Sequence, residues 1–260
     1  MELLADTHVH IYPNHDAAAL IRGAAERLQG AVRHVDAKIV LFLTEGHAYH
    51  FFERLLQGTH GLPASWAVTP CAEREAVQIR WSEGADVWIV AGRQIVTAER
   101  VEILALTLGD PCEDGRPAAE VVSAVNECGA VPVLAWAPGK WMFRRARVVR
   151  DLVQQFGPDR LRLGDTSLRP VGWPEPRFMR EPGWKNVLAG SDPLPIVGEE
   201  AQAGGYGVRL VGEFDGNNPV TSLRRLLRSP ETVIERIGSR NSPWQMARRL
   251  RSHHHSKQAS

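Results

Sequence analysis

Short apolar runs that stop abruptly at polar residues recur along this chain, with helical patterns between many of them. That alternation constrains the fold more than any other feature. Leu3-Leu4-Ala5 runs into Asp6-Thr7-His8-Val9-His10. An alanine-rich helical pattern follows over Asp16 to Leu28. Lys38 to Leu43 is a continuous apolar run, as expected of a strand buried on both faces. A helix is predicted over His50 to Leu56. Strands are predicted over Trp66 to Thr69, Val77 to Trp81, Val87 to Val96 and Val101 to Leu106. The runs after Val77 lie so close together that hairpins connect them rather than helical crossovers.

From Ala118 the alternation resumes. A helix to Cys128 ends at Gly129, Val131 to Ala135 is a strand, and Arg144 to Phe156 is a helix stopped by Gly157-Pro158. Leu161 to Leu163 and Val187 to Ala189 are strands that run into Gly164-Asp165 and Gly190-Ser191-Asp192. Between them, residues 170–184 read as a structured loop with a short helix. Tyr206, in a glycine-rich stretch, reads as a turn residue. Alternating strands and helices argue for parallel β-α units. The expected fold is α/β, a distorted β/α barrel of about seven strands closed by C-terminal helices. A doubly wound open sheet is the alternative. Residues 1–215 are assigned to the barrel domain and 216–260 to a helical extension with a basic tail.

Composition narrows the class. Of 260 residues, 43% are hydrophobic and 23% charged, which excludes disorder and collagen-like repeats. With 31 basic and 30 acidic side chains, no global field selects nucleic acid or membrane. Cys71, Cys112 and Cys128 show no CxxC spacing and fit a reducing compartment. The N-terminus lacks the basic and apolar regions of a signal peptide, and no apolar stretch is long enough for a membrane span. The cytoplasm is the predicted location. From Thr221 to Ser260, nine Lys or Arg oppose two Glu, giving +7 there and −6 elsewhere. Ser229-Pro230-Glu231 has the capping chemistry of a helix start, and a frayed tail is expected beyond it. This tail is the one place where nucleic acid could be contacted, although it has few aromatics and no nucleic-acid motif. Oligomeric state is not legible.

His8-Val9-His10 carries the strongest chemical signal. Side chains at i and i+2 on a strand share a side, so both imidazoles can meet one ion. By the same spacing Asp6 should lie on that face and orient a ligand from behind. Other strand ends present Glu45 with His47 and His50 nearby, Asp165, and Asp192. In β/α barrels the active site is built at this end of the strands. His15, His34 and His60 read as surface or supporting residues.

The pieces DTHVH, LTEGH, AGRQI, VPVLAWAPG and AGSDPLP resemble, in order, the motifs of PHP domains, named for polymerase and histidinol phosphatase. The resemblance spans most of residues 1–215 and implies a metal-dependent hydrolase on a distorted barrel. It places His8, His10, His47 and Asp192 as metal ligands and Asp192 and Glu45 as catalytic candidates. The cofactor implied is a divalent ion, Zn, Mn or Fe. The chain also departs from the pattern. Gln94 stands where the family offers a bridging Glu, Trp136 where a His is usual, and Leu194 where the closing His is expected. One ion is therefore expected rather than a cluster, with phosphoester hydrolysis the leading activity. A non-catalytic ligand-binding or scaffold protein with a vestigial site is the alternative. The loop from Pro138 to Arg147 carries four cations. From it Lys140 and Arg144, with Arg169 further along, are candidates to bind an anionic small-molecule substrate.

Overall fold

β1 (Glu2–Val9) and β2 (Ala37–Glu45) are buried almost end to end and pair in parallel. The computed structural model describes residues 1–32, 37–82, 84, 86–184 and 186–259, so His34 lies outside the described residues. α1 (Ala17–Ala31) makes the crossover between them. Asp16 caps it by accepting from the Ala19 N–H at 2.9 Å, and Leu20, Ile21, Ala24, Ala25 and Leu28 form its buried face. α2 (Phe51–Gln57) follows β2 and ends at Gly58 in the left-handed region.

β3 (Ala67–Pro70), β4 (Ala76–Arg80), β5 (Val87–Val96), β6 (Glu102–Leu106) and β7 (Val131–Ala135) pair successively antiparallel, with β4/β5 and β5/β6 the hairpins that the short spacing predicts and a longer connection leading to β7. α3 (Ala118–Glu127) precedes β7, and α4 (Arg145–Arg160) crosses to β8 (Arg162–Thr166). β8 pairs in parallel with β7 and with β9 (Leu188–Gly190). The sheet order is β11-β10-β1-β2-β5-β6-β7-β8-β9, with the β3/β4 hairpin beside β5.

The sheet curls until β9 returns to β1. Thr7 Oγ1 donates to the Ala189 carbonyl at 2.9 Å, and the Asp192 N–H donates to the His8 carbonyl at 2.9 Å. Gly190 makes this approach possible, because a Cβ there would clash with the backbone and Cβ of His8. The result is a nearly closed barrel. Leu3, Ala5, Val40, Phe42, Val90 and Leu104 fill its inside. Leu4, Ile39 and Leu41 face outward onto α1 and α2, while Leu134 and Leu163 face α3 and α4.

The α/β barrel with C-terminal helices is the predicted class, but the sheet has 11 strands among the described residues. The added ones are the edge hairpin and two strands near the C-terminus. β10 (Tyr206–Val211) runs antiparallel to β1 and begins at Tyr206, which is not a turn residue. Residues 229–231 do not open a helix. Ser229 instead ends α5 (Pro219–Arg228), whose Val220, Leu223, Leu226 and Leu227 join the barrel interior. The chain then enters β11 (Val233–Gly238), which pairs antiparallel with β10. The helical spacing of those apolar residues after Pro219 outweighs the local capping chemistry at Ser229. α6 (Pro243–Ala259) takes in the expected tail. Ser242 and Gln245 cap it reciprocally, each backbone N–H donating to the other's side chain at 2.8 and 3.2 Å.

Candidate metal site

A bulge in β1 creates the site. Asp6 pairs with Leu41 and Val9 with Leu43, so three steps on β1 match two on β2. The extra residue reverses the alternation. Leu4 and Val9 both face the outer core, five positions apart, while His8 and His10 turn to the inside. Asp6 therefore does not share a face with His8, contrary to the strand-spacing expectation. Its carboxylate accepts instead from the Ser191 N–H at 2.9 Å, the Gly204 N–H at 2.8 Å, the His8 N–H at 3.2 Å and the Ser191 hydroxyl. Burial lifts its pKa to about 6 against the pull of those donors. Asp6 fixes backbone rather than an imidazole, and His8 Nδ1 is buried without a partner.

Three donor atoms converge at the end of β1 and β9. His8 Nε2 and His10 Nε2 are 3.0 Å apart, and Asp192 Oδ1 lies 3.6 Å from the first and 3.7 Å from the second. Ligand atoms around a tetrahedral zinc, about 2.0–2.1 Å from the ion, stand roughly 3.3–3.4 Å from one another. The observed edges bracket that value, so the trio fits one divalent ion, and an N₂O donor set suits Zn, Fe or Mn. Among the described residues this is the group of His, Cys, Asp or Glu side chains spaced to share an ion. Burial, and next the neighbouring His8, push the His10 pKa well below its usual value and hold the ring in the neutral, ligating form. Burial raises the Asp192 pKa, with His8 opposing.

Gln94 stands beside this trio, its Oε1 2.8 Å from His8 Nε2. It supplies a neutral oxygen where a carboxylate would add charge. The Gln94→Glu variant is expected to tighten Zn binding by about tenfold or more, since ligand charge sets affinity at oxygen-containing sites. Competition against a fluorescent chelator measures this, and an unchanged dissociation constant would place Gln94 outside the coordination sphere. Trp136 does not fill the site. It packs outward with Leu134, Trp141 and Ile95. Leu194 is buried, and its N–H donates to Glu199 at 3.0 Å.

The remaining candidates lie elsewhere. Glu45 is buried and accepts from the Phe51 N–H and, at 3.4 Å, from the Phe52 N–H, so it caps α2. Its other oxygen is 3.7 Å from Arg93, and burial raises its pKa to about 7. His47 stands outside the trio, 70% exposed, with Nδ1 4.0 Å from Asp114. Lys140 Nζ pairs with Glu102 at 3.0 Å, and the Glu102 charge reaches Asp192. Arg144 is exposed at the N-cap of α4. Arg169 is buried, with Nε 2.7 Å from Asp165 and a further bond to the Trp173 carbonyl. Asp165 also accepts from the Tyr206 hydroxyl at 2.9 Å, so this cluster ties β8 to β10.

Tyr12, which the motif pattern did not single out, stacks on His10 with ring centroids 5.4 Å apart and meets Tyr49 edge-on at 4.9 Å. Burial, and next the Asp192 charge, push its pKa up, so the hydroxyl stays protonated. The aromatic Tyr12 two residues beyond His10 was the available signal.

No protein-family model and no curated protein matches the sequence. Several solved structures are similar to it, including two that match over most of this chain. PsfC from Pseudomonas syringae PB-5123 is 15% identical with a TM-score of 0.56, over 99% of this chain and 98% of that one. The lesion-specific endonuclease PfuEndoQ from Pyrococcus furiosus is 14% identical with a TM-score of 0.53, over 90% of this chain and 58% of that one. The fold is PHP-like. At these identities the likeness concerns the fold alone. Among the described residues no helix is long and apolar enough to cross a membrane.

Proposed function

We propose that this chain is a metal-dependent hydrolase acting on phosphoesters, with a single divalent ion held by His8, His10 and Asp192. The observation that carries the reading is the convergence of His8 Nε2, His10 Nε2 and Asp192 Oδ1 at spacings of 3.0, 3.6 and 3.7 Å. Bound there, the ion supplies Lewis acidity and lowers the pKa of a water. The protein's own groups do the rest. Asp192 is the most open of the three, its side chain 12% exposed against 3% and 4% for the histidines. No hydrogen bond from the described residues engages its carboxylate, so its second oxygen can take the proton of the attacking water. Tyr12 offers an O–H donor on the same side, and Lys140, partly exposed beside Glu102, a cation that a phosphoryl oxygen can share. Arg144, exposed at the start of α4, can meet the same anion as it approaches. Glu45 and Arg169 are assigned to holding the scaffold, because each is already occupied by buried partners.

The substrate class favoured is a small anionic phosphoester. A nucleic-acid phosphodiester is the second reading, favoured by the basic α6, where Arg248 stacks on an exposed Trp244 at 5.2 Å. The test is hydrolysis of p-nitrophenyl phosphate, its bis ester and a single-stranded DNA oligonucleotide by Zn- or Mn-loaded protein. Turnover abolished by chelation and in Asp192→Asn is expected. Metal-loaded protein that cleaves none of these would overturn the phosphoesterase reading and leave a metal-binding or scaffold protein. Cleavage of DNA alone, lost steeply with added salt, would select the second reading.

A further inference from the structure

Asp192 sits in an unusual backbone position. Its φ is +52°, in the left-handed region where L residues are rare outside Asn and Asp. A ligand in that conformation needs its neighbours fixed, and the chain ties down nearly every polar backbone group around it. The Ser191 N–H goes to Asp6 at 2.9 Å and the Asp192 N–H to the His8 carbonyl at 2.9 Å. The Ser191 carbonyl accepts from the Ser167 hydroxyl.

One link comes from a distant element. Arg249, on α6, is only 4% exposed. Its Nη2 donates to the Asp192 carbonyl at 3.0 Å and its Nη1 to Ser167 Oγ at 2.9 Å. Its Nε donates to the buried Glu199 at 2.9 Å, and Glu199 in turn accepts from the Leu194 N–H at 3.0 Å. One guanidinium thus reaches the carbonyl of Asp192 directly, the carbonyl of Ser191 through Ser167, and the N–H of Leu194 through Glu199. A planar fork of donors is suited to this and an ammonium is not.

We propose that Arg249, docked from the C-terminal helix, is a positioning residue that holds Asp192 in its metal-ligating conformation. The C-terminal helix is then part of the metal centre, reaching it through the Asp192 carbonyl rather than through a donor atom. The proposal rests on the reading of His8, His10 and Asp192 as a metal site. It assigns to Arg249 the work that second-layer partners do elsewhere, where their loss weakens metal binding by about 10- to 100-fold.

The experiment uses the full chain with His253, His254 and His255 changed to alanine, so that the histidine run binds no ion. Zn(II) affinity is measured by chelator competition, and Co(II) is added separately to read the visible ligand-field spectrum. The Arg249→Ala variant is expected to bind Zn(II) about 10- to 100-fold more weakly and to show an altered Co(II) spectrum. Arg249→Lys should fall between it and the parent, and millimolar guanidinium should restore part of the loss in Arg249→Ala. Combining Arg249→Ala with Asp192→Asn should cost little beyond Asp192→Asn alone, since both act through one ligand. A folded Arg249→Ala with parental affinity and spectrum would overturn the proposal and leave Arg249 a stabilising contact. Should Arg249→Ala not fold, Arg249→Lys decides on the same two readouts. A parent that binds no metal, or an Asp192→Asn variant that binds as tightly as the parent, would overturn the metal reading itself, a result distinguishable from loss of the Arg249 role alone.

Discussion

With His253, His254 and His255 changed to alanine, the full chain is expected to carry about one Zn or Mn per molecule. The His8→Ala/His10→Ala double variant should carry none. Those two rings supply two of the three convergent donor atoms. What remains is a single buried carboxylate, which cannot hold an ion against water. Loss of affinity should exceed the 10- to 100-fold typical of second-layer changes and reach on the order of a thousandfold or more. Elemental analysis after equilibration and desalting gives the stoichiometry, and circular dichroism shows whether the variant keeps its fold. Both rings are buried, so truncation also leaves voids, and Asp192→Asn provides a second variant of nearly unchanged shape. Equal metal content in parent and both variants would remove His8, His10 and Asp192 as the site.

Part of the His8, His10 and Asp192 grouping is legible in the sequence. His8 and His10 are two residues apart on a strand, and local geometry alone makes them neighbours. Asp192 required the barrel to close: strand ends in polar residues make it one candidate among several, and the resemblance to PHP motifs is what singles it out as a ligand. What the sequence concealed were departures from regular geometry. The bulge between Asp6 and Val9 moved Asp6 off the histidine face, and a one-residue slip leaves no mark in an apolar-polar pattern. Glu45 and His47 read as one motif, yet Glu45 is consumed by the first N–H groups of α2 while His47 lies exposed beyond the end of β2. In the sequence Arg249 is one charge among many in a basic tail. Nothing in spacing or composition separates a cation that is buried against Glu199 from one that is solvated. β10 and β11 leave no clear mark in the sequence for a related reason. Glycines around Tyr206 suggested a turn, but the sheet needs small residues there, since a Cβ at Gly207 would strike the Ala5 carbonyl.

Replacing Glu45 separates the two roles its position suggests. In the structure its carboxylate satisfies the Phe51 and Phe52 N–H groups and faces the buried Arg93, so Glu45→Ala removes a helix cap and leaves a buried cation with one partner fewer. Arg93 keeps its bonds to the Gly109 and Tyr49 carbonyls, which places the expected loss of stability at the lower end for such pairs, about 3 kcal/mol. Glu45→Gln keeps the shape and one acceptor, and it isolates the charge. Burial raises the pKa of Glu45 in the folded protein to about 7, from an ordinary value of 4.5. A raised carboxyl pKa means that the folded state favours the neutral acid. The stability this gives the parent is fully present below about pH 4.5 and is lost as pH rises through about 7, a change of about 3 kcal/mol. Glu45→Gln has no such slope. Urea denaturation at pH 4.5, 6 and 8 should therefore show the parent's advantage over Glu45→Gln shrinking as pH rises. An advantage that grows with pH would mean that the N–H groups of α2 and Arg93 outweigh desolvation and hold the carboxylate ionised. Turnover supplies the other half of the test. A cap and ion-pair residue leaves the rate of the folded Glu45→Gln enzyme close to parental, whereas a general base at this position would lower kcat by about 100-fold or more.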